Sequence, residues 1–278
     1  MNYKRFHKTL DSNLGELHYH HYENTTCKNK KKLLLLHGSR LAGLETWEKI
    51  IGGLDGWSEI LVPDLLGVGY LNPLNISCRD FDLNSLLAYV VDLITLHQWA
   101  SFDIASYSFG GVLSTFLANK LCNQVKKQLL IESALLIATP DQVSAAAHKM
   151  NGIANMMSLD PERGNLEFSK LVSKNKNTRS FSITANTRPI YNPLGFANLL
   201  YVLSEILLTQ DVWSLLSKQK FVSALITERA TDEAKGALTE MERLNSWHIY
   251  RVTNADHSMV FFQQERISTI LNEWGEHE

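Results

Sequence analysis

The stretch FDIASYSFGGVLSTFLANKL, residues 102–121, constrains the fold more than any other part of this chain. It begins as a short apolar run of strand type and continues as a helix pattern, with only S-Y-S-F-G-G (106–111) between the two. A strand passes into a helix over so few residues only through a tight turn. Small side chains must surround that turn, because neighbouring strands approach it closely.

The same change of periodicity recurs along the sequence. LLLLH (33–37), EILVPD (59–64), FVSALIT (221–227) and HIYRVT (248–253) read as strands, being short apolar runs that end in polar or turn residues. DFDLNSLLAYVVDLITLHQWA (80–100) has apolar residues at helical spacing, with a cap at Asp82 or Asn84. A further helix pattern, QQERISTILNEW, lies near the C-terminus. One more strand lies within 126–138, where QLLIES and ALLIA compete for it. Strands alternating with helices predict an α/β fold with a mostly parallel sheet covered on both faces.

From Pro140 to about Gln219 the texture changes. Met150, Met156 and Met157 cluster, the polar tract SKNKNTRS follows, and PLGFANLLYVLSEILL is helix-like. The expected organisation is therefore a core of residues 1–140 and 219–278, with a helical cap of residues 141–218 over the C-terminal edge of the sheet. The KNKKK patch (28–32) reads as a solvated turn before a buried strand.

Lys and Arg number 27 against 29 Asp and Glu, a net charge of −2, which gives no support to nucleic-acid binding. Cys27, Cys78 and Cys122 are odd in number and far apart, which is neither a disulfide framework nor a zinc spacing. The start, MNYKRFHKTLDSN, lacks the apolar segment of a secretion signal, and LLLL (33–36) is too short to span a bilayer. A cytoplasmic protein with no membrane span, no metal and no organic cofactor is expected.

Three motifs occur in order: HGS at 37–39, SYSFGG at 106–111 and ADHS at 255–258. VPDLLGVGYLNP (62–73) adds a glycine-rich loop after the second core strand. Together they resemble the α/β-hydrolase superfamily, from about Lys31 to the C-terminus, whose nucleophile occupies a G-x-S-x-G turn. The resemblance implies Ser108 as nucleophile, with Ser106 at the first small position in place of glycine. It implies an oxyanion hole from the backbone N–H groups of Ser39 and Phe109, with His37 orienting the loop. His257, on the loop after the last strand, is the implied base, since His7, His18, His20, His21 and His277 lie at the chain ends and His248 within or just before the strand.

The acid should follow FVSALIT, where the family strand ends in glycine with an aspartate a few residues on. ITERATDE lacks that glycine. Asp232 is chosen because a short carboxylate on this loop can reach the imidazole, while Glu228, Glu233 and Asp141, after the earlier strand, stay open. Asp256 beside His257 would point elsewhere on an extended loop. The order Ser108, Asp232, His257 follows that of the superfamily.

Within the superfamily two branches are similar: the esterases that cleave pimeloyl-acyl carrier protein methyl ester in biotin synthesis, and the 3-hydroxyacyl-carrier-protein acyltransferases of rhamnolipid precursor synthesis. The transferases share the S-x-S-x-G-G elbow but lack a plain HG oxyanion motif. The resemblance implies a serine carboxylesterase acting on an acyl ester, with acyltransfer or a non-catalytic binding role as alternatives. An acidic acyl carrier protein would meet Lys149, Arg163, Lys170, Lys174, Lys176, Arg179 and Arg188 of the cap, although Asp160, Glu162 and Glu167 are interspersed.

Overall fold

The computed structural model describes residues 2–12, 15–69, 81–136, 143–172, 192–219, 221–227, 243 and 247–276. Eight strands form one sheet: β1 (Lys4–Ser12), β2 (Gly15–Glu23), β3 (Lys32–Leu36), β4 (Glu59–Pro63), β5 (Phe102–Tyr107), β6 (Val125–Ile131), β7 (Val222–Thr227) and β8 (His248–Val252). Their spatial order is β1-β2-β4-β3-β5-β6-β7-β8. β1, β2 and β4 pair antiparallel, and every pair from β4 to β8 is parallel.

The helices are α1 (Gly43–Ile51), α2 (Leu83–Leu96), α3 (Phe109–Lys120), α4 (Val143–Leu159), α5 (Pro161–Val172), α6 (Pro193–Thr209), α7 (Val212–Ser217), α8 (Met259–Phe262) and α9 (Gln264–Glu276). Asp82 caps α2 by accepting the Ser85 N–H at 2.8 Å, a bond typically worth about 1 kcal/mol.

Side chains of a central strand point alternately to the two faces, so a strand covered on both sides is apolar throughout. Leu33, Leu34, Leu35 and Leu36 are all fully buried for this reason. Leu34 and Leu36 join a cluster with α2, α3, α4 and α6, while Leu33 and Leu35 join another with Trp47, Trp57 and Trp274. Each such leucine contributes roughly 1.5–3 kcal/mol relative to an exposed position.

The competition between QLLIES and ALLIA resolves toward the first. β6 ends at Ile131, and Ala134–Leu136 is a short 3-10 turn. The N-terminal hairpin β1–β2 was not anticipated, because its strands carry polar and charged residues on both faces and show no apolar run.

Between β6 and β7 the described residues form α4 to α7. Helix α6 begins where the backbones of Gly195 and Gly67 meet, so closely that a Cβ at Gly67 would lie 2.7 Å from the Gly195 Cα. Gly67 belongs to the loop after β4, and Arg40, in the loop after β3, lies over the rings of Phe168 (5.5 Å) and Phe196 (6.0 Å). These helices therefore contact the loops that follow the parallel strands. Among the described residues no helix is long and apolar enough to cross a membrane.

Candidate active site

β5 ends at Tyr107 and α3 begins at Phe109, so Ser108 alone makes the turn between them. Its backbone adopts φ 53° and ψ −117°, a conformation that costs a residue with a side chain about 1–3 kcal/mol. Surrounding bonds hold it there. Ser108 N–H donates to the Ile131 carbonyl, and the Ser108 carbonyl accepts from the N–H groups of Gly111 and Ala134, all at 3.0 Å.

Small neighbours are a steric requirement at this turn. A Cβ on Gly110 would lie 2.6 Å from the Leu36 carbonyl oxygen and 2.7 Å from that of His37, far inside contact distance. Ser106 is fully buried, with its Oγ 2.8 Å from Ser114 Oγ and donating to the Leu129 carbonyl at 3.3 Å. It packs the strand–helix junction, and only Ser108 presents its hydroxyl at the surface of the turn.

His257 stands five residues beyond the end of β8 along the chain and meets Ser108 from the other side. Its Nε2 lies 3.2 Å from Ser108 Oγ across a separation of 149 positions. The ring packs on Tyr107, with centroids 5.1 Å apart, and the Tyr107 hydroxyl donates to the His257 carbonyl at 2.6 Å. Burial, aided by the nearby Glu132 and Asp256 carboxylates, pushes the Tyr107 phenol well above its usual pKa, so it keeps the proton it donates. Asp256 accepts the Ser258 N–H at 2.9 Å and is engaged in its own turn.

The Nδ1 edge of the imidazole meets a carboxylate outside the loop after FVSALIT. Glu132, the first residue after β6, places Oε2 3.5 Å from His257 Nδ1. Its Oε1 accepts the Thr227 N–H at 2.6 Å, and its own N–H donates to the Leu225 carbonyl at 2.9 Å. The side chain is only 6% exposed, and φ is 45°, again in the left-handed region. The available signal was the Glu in LLIES directly after an apolar run, obscured while the end of that strand was undecided. Asp232, Glu228, Glu233 and Asp141 lie outside the described residues.

Ser39 and Phe109 flank the same turn. Phe109 is the first residue of α3, and an N–H at a helix start has no intrahelical acceptor. Ser39 follows Gly38, where a Cβ would stand 3.1 Å from Ser108 Cβ. His37 anchors that loop from within the core: Nε2 accepts the Leu65 N–H at 2.8 Å, and Nδ1 donates to the Gly38 carbonyl at 2.6 Å. Full burial pushes its pKa down to about 4, so the ring is neutral and supports the loop without taking part in proton transfer.

An imidazole placed between a strained hydroxyl and a buried carboxylate can move a proton from oxygen to nitrogen and stabilise the imidazolium that results.

No family model and no curated protein matches the sequence. Solved structures match over almost the whole chain at low identity. MenH from S. aureus superposes with a TM-score of 0.75 at 15% identity, covering 92% of this chain and 97% of that one. A thermophilic esterase from Thermogutta terrifontis gives 0.73 at 17% identity, covering 98% and 97%. The enol-lactonase from Burkholderia xenovorans gives 0.70 at 16% identity, covering 96% and 99%. A mostly parallel eight-stranded sheet, helices on both faces and these superpositions together show that the chain has the α/β-hydrolase fold.

Proposed function

We propose that this protein is a serine hydrolase of carboxylic esters that works through an acyl-enzyme on Ser108. The observation that carries the proposal is the continuous row Ser108 Oγ, His257, Glu132, with separations of 3.2 Å and 3.5 Å. His257 Nε2 takes the Ser108 proton as Oγ attacks the ester carbonyl. Glu132 holds Nδ1 protonated and balances the charge that develops on the ring. The N–H groups of Ser39 and Phe109 receive the oxyanion, and loss of one such donor typically costs about 3 kcal/mol. The imidazolium returns its proton to the departing alcohol. Water, deprotonated by the same ring, then releases the acid and restores Ser108. In this reading Glu132, rather than Asp232, is the third member.

The finer substrate reading is the methyl ester of pimeloyl-acyl carrier protein. Its support is the family resemblance together with exposed Lys149 on α4 and Arg163 on α5, which suit an acidic carrier. Lys170 pairs with Glu167 at 2.6 Å, and Lys174, Lys176, Arg179 and Arg188 lie outside the described residues. The packing role of Ser106 accounts for the S-x-S-x-G-G elbow on steric grounds, so the elbow carries no argument for acyltransfer.

The test is mass spectrometry of wild type and Ser108→Ala with acyl p-nitrophenyl esters, methyl pimelate and methyl pimeloyl-acyl carrier protein. The proposal expects free acid and a transient acyl adduct on Ser108 in wild type alone. Equal turnover by both proteins would refute it. Equal rates for free and carrier-bound methyl ester would remove the carrier while keeping the esterase.

A further inference from the structure

The N-terminal hairpin alternates in a way the proposed hydrolysis does not use. In β2, His18 and His20 point to one face of the sheet, and Tyr19, His21 and Glu23 to the other. On that second face His21 pairs across the strands with Leu61, and Glu23 with Glu59, the first residue of β4. His97, at the C-terminal cap of α2, packs edge-on to His21 with ring centroids 4.6 Å apart. Three elements thus bring two imidazoles and a carboxylate together at the start of β4. Ser108 lies at the opposite edge, where the parallel strands end.

We propose that His21, Glu59 and His97 form a binding site for a borderline divalent metal ion, with Zn²⁺ the ion the donor set fits best. One donor atom from each residue falls within 4.8 Å of the other two. His21 Nε2 and Glu59 Oε2 are 3.4 Å apart, the edge of a tetrahedron whose metal–ligand distances are about 2.0–2.1 Å. His21 is 4% exposed, and its buried Nε2 has no hydrogen-bond partner among the described residues. Glu59 and His97 are half-buried, so an ion can reach the cluster from solvent.

The surrounding groups suit that role. Glu59 uses Oε1 for its ion pair with Lys32, while Oε2 accepts the Trp99 indole N–H at 3.1 Å and retains a second lone pair. Glu23 Oε1 lies 3.5 Å from His21 Nδ1, where a carboxylate would orient a metal-bound imidazole. His97 Nε2 lies 3.2 Å from the Tyr19 hydroxyl. Lys8 now contacts His21 Nδ1 at 3.2 Å, and this long surface side chain would swing away as Nδ1 turned its proton to Glu23. A borderline ion with nitrogen and oxygen donors is Zn²⁺, with Co²⁺ as its spectroscopic substitute.

The experiment titrates the full chain with Zn²⁺ by calorimetry and with Co²⁺ by visible absorption, alongside His97→Gln and Glu59→Gln. The proposal expects one ion per chain, a higher melting temperature with Zn²⁺ and binding at least ~10-fold weaker in each variant. Circular dichroism establishes that the variants fold. In the wild type, Zn²⁺ should shift the ring ¹⁵N resonances of His21 and His97, a readout that needs no variant. Absence of saturable binding to folded wild type would overturn the site. So would binding that survives both variants and disappears in a His7→Gln, His18→Gln protein, whose ring nitrogens lie 3.0 Å apart on the other face of the hairpin.

Discussion

Glu132 reaches His257 from the strand next to the nucleophile strand: its Oε2 lies 3.5 Å from Nδ1 while its Oε1 is pinned by the Thr227 N–H. A carboxylate fixed at one oxygen presents the other at a fixed angle, which is what an orienting partner of an imidazole requires. Glu132→Gln should therefore lower kcat for an acyl ester by roughly 10³–10⁴-fold with little change in KM. Asp232→Asn should leave kcat within about twofold. Steady-state kinetics of both variants check the assignment, and the opposite ranking would return the role to Asp232.

The strained turn makes a prediction of opposite sign for stability and activity. Ser108→Gly removes the hydroxyl and relieves φ 53°. Ester hydrolysis should fall on the order of 10⁴-fold or more, whereas unfolding free energy should rise by about 1 kcal/mol, since glycine adopts this conformation without penalty. Urea denaturation of wild type, Ser108→Gly and Ser108→Ala measures the second effect. A glycine variant no more stable than the alanine variant would mean the turn carries no strain.

Buried His37 predicts the direction of acid sensitivity. Its folded pKa of about 4 lies below the unfolded value near 6.5, so between these values the unfolded chain binds more protons. Its contribution is fully present above about pH 6.5 and is lost as pH falls toward 4, on the order of 3 kcal/mol over the window. His37→Gln, whose carbonyl can still accept the Leu65 N–H, should be less stable at pH 7.5 but show a flatter loss on acidification. Urea midpoints at pH 7.5, 6 and 4.5 provide the comparison.

The docking of α6 depends on the absence of a side chain at one position. A Cβ on Gly195 would run into the Gly67 carbonyl oxygen, a rigid backbone atom. Gly195→Ala should cost about 1–3 kcal/mol by forcing the two backbones apart, and Gly195→Val more. Thermal denaturation of the wild type and both variants measures the cost.

Local chemistry made much of this protein legible from its residues in order. Apolar runs such as 33–36 and 59–63, the Asp82 cap and the cramped S-Y-S-F-G-G junction are each encoded within a few consecutive positions, so strands, helices and the elbow could be read directly. β1 and β2 left no such trace, because polar side chains alternate through both strands, and β2 buries Tyr19, His20, His21 and Tyr22 rather than a run of aliphatic residues. Tertiary structure alone brings Glu132 to His257. That contact depends on β6 ending at Ile131 in register with Leu225 of β7, a pairing between segments almost a hundred residues apart. The meeting of His21, Glu59 and His97 is of the same kind. Strand pairing and helix docking bring such groups together through contacts distant in the chain, and no local pattern records the result.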